Sequence, residues 1–152
     1  MNDTAGTFAA VFATLFVAHS VGDHWVQTTP QARNKGRPGW PGRLAGVRHV
    51  VGLTLTKLLL LALVAVVLSL PLTTTGTCVG LAVDAYSHWW ADRRSTLARL
   101  AQLLGKGEFH ALGSTVTDSH GRPSHLGTGA YALDQSWHHF WLLVAALLIA
   151  AL

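Results

Sequence analysis

The sequence predicts an all-α membrane protein, a bundle of four spans with both termini on the outer side. Three observations carry that expectation. Half of the 152 residues are hydrophobic and only 12% are charged, against roughly 25% in ordinary soluble domains. Four segments approach the ~20 predominantly apolar residues that a ~30 Å hydrocarbon core requires. Almost every basic residue falls on the connections that an up-down arrangement would put on one side.

The first span covers about residues 7–27 and ends in "AHSVGDHWVQ". The connection 28–47, with "NKGRPGWPG", carries the Gly and Pro that punctuate helices. The second span, about 48–70, contains "VVGLTLTKLLLLALVAVVLSL", and Pro71 stops it. The third, about 77–104, runs through "VDAYSHWWADRR" into an amphipathic tail. A Gly-rich loop, 105–130, precedes the last span, about 131–152. At this length the chain makes a single domain.

Orientation follows from charge. Arg33, Lys35, Arg37, Arg43 and Arg48 lie between spans one and two, and Arg93, Arg94, Arg99, Lys106 and Arg122 between spans three and four. The opposite side has no Lys or Arg, so the positive-inside rule makes the basic side cytoplasmic. The start "MNDTAGTF" has an Asp and no basic residue, unlike a cleaved signal peptide. All six Trp fall near the basic side, as an interfacial belt or as walls of a site. Cys78 is the single cysteine, which excludes an internal disulfide and a Cys-rich metal site. The net charge of +4 comes with no nucleic-acid motif, and basic loops on this side fit anionic lipid.

Within the oily spans, polar residues recur at intervals of four, which places them on one helix face. Span one carries His19, Asp23 and Gln27. Span two carries His49 and Lys57, span three Asp84, His88 and Asp92, and span four Asp134 and His138 with Gln135 beside them. Up-down packing brings most of these groups to one level near the cytoplasmic surface. Ionised Asp facing lipid costs about 2.5–3.5 kcal/mol at mid-membrane, so Asp23, Asp84, Asp92 and Asp134 should point inward. Lys57 lies ~12 Å deeper than His49, and Asp84 similarly deeper than Asp92, at 1.5 Å per residue. Equal depth predicts a buried Lys57–Asp84 pair.

The runs "AHSVGDHWVQ", "SHWWADRR" and "LDQSWHH" resemble the 3307 family of domains of unknown function, small bacterial multi-pass membrane proteins. The resemblance maps that family's pattern onto His19, Asp23 and Gln27, onto His49, onto His88 and Asp92, and onto Asp134, Gln135 and His138. Arg93 and Arg94 stand where many relatives have Lys, and no role is carried onto them. The resemblance implies a bacterial inner-membrane location. A looser similarity leads to inner-membrane proteins labelled metal-dependent hydrolases.

The cluster suggests a divalent metal site. Imidazole and carboxylate suit Zn, Mn or non-haem Fe. The candidate ligands are His19, Asp23, His49, His88, Asp92, Asp134 and His138, with Gln27, Gln135, Asp84 and Lys57 as supporting neighbours. A hydrolase would employ Asp23, Asp92 or Asp134 in catalysis, one of them as proton acceptor, on a lipid or lipid-linked anionic substrate reached from the inner leaflet. Two other readings stand beside this one. The residues can be structural ion pairs that hold the helices together. They can also be an ion or proton relay, which would need a homo-oligomer because the outer half of the chain is Ala, Val and Leu. His24 and His139 sit about 100° around their helices from the stripe, and Asp118, His120 and His125 belong to a polar loop.

Overall fold

Four long apolar runs build the scaffold. The computed structural model describes residues 4–113 and 127–152, and among them it is helical with no strand. Helix α1, Thr4–Val21, runs into a π-helical turn, Gly22–Val26. Helix α2, Thr29–Asn34, is short and α3, Gly39–Leu68, is the longest. Helices α4, Thr74–Asp92, α5, Ser95–Leu103, and α6, Gly107–His110, lead to α7, Thr128–Ala151.

The long helices form a ring. α1 packs on α3 and α7, and α4 packs on the same two. One half of the ring is apolar: Val11, Leu15, Leu61, Leu81, Leu142, Ala145, Ala146 and Ile149 make its core. Small residues let α4 and α7 approach closely there. A Cβ on Gly80 would lie 2.5 Å from Ile149 Cγ1 and 2.8 Å from the Ala145 carbonyl. The other half holds the buried polar groups His19, His49, His88, Asp92 and His138.

Two helices, Thr4–Val26 and Gly39–Leu68, are long and apolar enough to cross a membrane. α4 has 19 residues and α7 24, long enough to compare with the first of these, but both are diluted by polar residues such as Asp84, His88 and Asp92 in α4 and Asp134, Gln135 and His138 in α7.

Several boundaries differ from those the sequence suggests. The third span does not continue as one helix to Leu104. It stops at Asp92, and Arg94 takes φ 57° before α5 begins. α5 lays its own apolar side, Leu97 and Ala101, against the protein. Connection 28–47 is largely helical: α2 starts from a reciprocal cap between Thr28 and Gln31, and α3 starts at Gly39 rather than near Arg48. Pro41 does not break α3 because it sits in the first turn, where backbone N–H groups have no intrahelical acceptor. Asp118, His120, Arg122 and His125 lie outside the described residues.

Candidate metal centre

Each ring helix contributes to the polar half from the end nearer α2, α5 and α6. His19 closes α1, and Asp23 sits in the π turn that follows. Such single π turns recur at functional sites, and here the turn lies against α3. A Cβ on Gly22 would come within 2.2 Å of Leu53 Cδ1. The chain leaves the helix at Gln27, so the regular spacing of His19, Asp23 and Gln27 does not reflect one continuous α-helical face. His49 lies in the third turn of α3, His88 and Asp92 at the end of α4, and Asp134 and His138 near the start of α7.

All seven sequence-predicted ligands converge. His49 Nε2 lies 2.9 Å from Asp23 Oδ1, 3.1 Å from His88 Nε2 and 3.6 Å from Asp92 Oδ2. His88 Nε2 lies 3.3 Å from Asp92 Oδ2 and 3.5 Å from Asp23 Oδ1. His19 Nε2 is 3.5 Å from Asp23 Oδ2, and His138 Nε2 is 3.5 Å from Asp134 Oδ1. The rings of His88 and His138 stack with centroids 3.9 Å apart. Three overlapping sets bring one ligand atom per residue within 4.8 Å of the others: His19, Asp23 and His88; His49, His88 and Asp92; and Asp92, Asp134 and His138.

Hydrogen bonding leaves this cluster unsatisfied. A ring N–H points in one direction, yet His49 Nε2 faces another imidazole nitrogen and two carboxylate oxygens. Asp23 Oδ1, Asp92 Oδ2 and both ring nitrogens of His19 and of His138 are buried with no well-formed hydrogen bond among the described residues. Such an atom costs roughly 1–3 kcal/mol when left alone.

The family described as "Protein of unknown function (DUF3307)" matches residues 11–152. The chain belongs to the DUF3307 family. No curated protein and no solved structure matches it. The DUF3307 match spans every residue of the cluster, from His19 to His138.

One cation of the DUF3307 chain's centre has no counterpart among the sequence-predicted site residues. Lys35 Nζ lies 2.7 Å from Asp92 Oδ1, with the lysine side chain 13% exposed. Lys35 follows α2, and its position is set by the two arginines after α4. Arg93 donates through Nη1 to the Lys35 carbonyl at 2.5 Å and through Nη2 to the Arg37 carbonyl, while Arg94 Nη2 donates to the Ala32 carbonyl at 3.2 Å. The α2 segment is therefore tied over the mouth of the cluster. Nothing in the spacing of Lys35 marked it out from its basic neighbours.

The supporting neighbours divide. Gln135 Nε2 donates to Asp134 Oδ2 at 3.4 Å, whereas Gln27 Nε2 is buried with no partner among the described residues. Lys57 and Asp84 close on each other at 2.6 Å, fully inside the ring, rather than supporting the seven ligands. That pairing is the one their depth predicted. His24 turns outward to the Ser20 carbonyl and Tyr131, and His139 rests against Phe16.

Proposed function

We propose that this protein is a four-span component of the bacterial cytoplasmic membrane with a divalent metal bound among His49, His88, Asp23 and Asp92 at its cytoplasmic end. The observation that carries the reading is the convergence of those four donor atoms. Five of the six separations among them run from 2.9 to 3.6 Å. The two acids approach the imidazole pair from different sides, Asp23 grouping with His88 and Asp92 with His49 and His88. A tetrahedral ion with bonds of about 2.0–2.1 Å has ligand–ligand edges of about 3.3 Å. Charge supports the same reading. Among the described residues Lys35 is the basic side chain in an ion pair with these acids, so Asp23, Asp92, Asp134 and Lys35, with neutral imidazoles, carry two excess negative charges, which one divalent ion balances.

The membrane assignment draws on what lies outside the ring. Only 22% of the most apolar stretch of α3 is buried, whereas the core helix of a soluble protein is mostly covered. Val51, Leu55, Leu59, Leu63 and Val66 all point outward, an apolar surface that suits lipid. The charge distribution read from the sequence then puts the cluster beneath the inner leaflet.

Metal-supported hydrolysis of a lipid or lipid-linked phosphate is the reaction class we assign to the centre. When bound, such an ion acts as a Lewis acid toward phosphoryl or carbonyl oxygen. A chamber of about 210 Å³ lined in part by Arg94, Ser95, His110 and Asp134 adjoins the cluster and suits an anionic head. An apolar recess of about 550 Å³, with Tyr86, Trp90, Trp137 and Trp141 on its wall, suits a hydrocarbon tail.

Zinc loading of detergent-purified protein in phosphate-free buffer tests the reading. Wild type is expected to retain one equivalent per chain after desalting, and His49→Ala close to none. Wild type that retains no metal under any loading condition, with Asp92→Ala strongly destabilised, would hand the cluster to the structural reading.

A further inference from the structure

His138 and Asp134 have no task in the four-donor centre, yet they stand against it. His138 is only 2% exposed, and neither of its ring nitrogens has a hydrogen-bond partner among the described residues. An imidazole so placed forfeits its hydrogen bonds on both sides. Its nearest acid, Asp134 Oδ1, is 3.5 Å from Nε2. Asp92, Asp134 and His138 each offer a ligand atom within 4.8 Å of the other two. Tetrahedral ligands of one ion with bonds near 2.1 Å lie about 3.4 Å apart. Asp134 and His138 therefore already stand at ligand spacing, and the widest separation in the set closes by at most about 1.4 Å.

We infer that Asp92, Asp134 and His138 form a second divalent-cation position and that Asp92 bridges it to the first, making the centre dinuclear. The inference rests on the single-ion reading above and extends it. Asp92 belongs to both the His49–His88 set and the Asp134–His138 set, and a shared carboxylate is how helix bundles hold paired metals. Lys35 now occupies Asp92 Oδ1 at 2.7 Å. Its partly exposed side chain can swing toward solvent when an ion takes that oxygen. A second divalent ion turns the residual charge of the cluster positive, so it enters together with an anion, and inorganic phosphate can supply one.

Manganese titration in the presence of inorganic phosphate, read by bound-metal stoichiometry and electron paramagnetic resonance, tests this. Wild type is expected to bind two Mn²⁺ and to show the spectrum of an exchange-coupled pair. His138→Ala is expected to bind one, with the six-line spectrum of an isolated ion. Asp134→Asn serves as a second, nearly isosteric variant with the same expected loss, and circular dichroism checks that both variants keep their helices. One ion in wild type, or a coupled pair that survives in both variants, overturns the second position and leaves the first standing. No ion in wild type removes both.

Discussion

Lys57 and Asp84 are the deepest charges in the ring, and neither has solvent to fall back on. Their separation of 2.6 Å compensates both. Removing one partner of such a pair typically costs about 3–5 kcal/mol, because the other charge is left buried alone, whereas replacing both with apolar residues is often neutral. Lys57→Met is therefore expected to lower unfolding stability in detergent by about 3–5 kcal/mol. Lys57→Met combined with Asp84→Leu should recover most of the loss. A double variant as unstable as the single one would mean that the pair does more than neutralise itself. At this scale much was legible. His19, Asp23, His49, His88, Asp92, Asp134 and His138 announce themselves because lipid-compatible helices otherwise exclude such groups. Lys35 does not, since a lysine in a basic connection carries no such contrast and only the folded chain carries it to Asp92.

The elements show where sequence periodicity stops being informative. His19, Asp23 and Gln27 fit an unbroken α-helix, yet the backbone widens to a π turn at Gly22 and departs at Gln27. Hydropathy does not register that change, nor the close packing of Gly22 on Leu53 that accompanies it. The break between α4 and α5 was equally hidden. Arg93 and Arg94 read as the edge of a span, but their side chains hold the α2 segment through carbonyls of Lys35, Arg37 and Ala32. That function belongs to tertiary contact, which no helical spacing encodes. Arg93→Ala should release the segment without unfolding the ring. Amide hydrogen exchange is expected to speed over residues 29–38 while α3 and α4 keep their protection. Unchanged exchange in 29–38 would show that α2 is held by other contacts.

For the whole molecule, one half of the ring is an apolar core and the other holds the buried polar cluster. This asymmetry follows from the sequence, where the acids and imidazoles cluster toward the basic connections and the far ends are Ala, Val and Leu. It weighs against a relay through a single copy, because among the described residues the apolar half buries no ionisable group beyond Lys57 and Asp84, only the hydroxyls of Thr7 and Thr14. The proposed orientation has its own test. In a Cys78→Ser background, Thr74→Cys should react with an impermeant maleimide from outside intact cells. Glu108→Cys, at an exposed position of α6, should react only in inverted vesicles, and the opposite pattern would reverse the orientation. The central claim is that ligands from two helices and a π turn converge on one ion. X-ray absorption at the zinc edge of loaded protein in phosphate-free buffer tests it most directly. The account predicts two imidazole nitrogens and two carboxylate oxygens at about 2.0–2.1 Å, with the signature lost in His49→Ala. A shell of solvent oxygens alone, or one unchanged by that substitution, would contradict it.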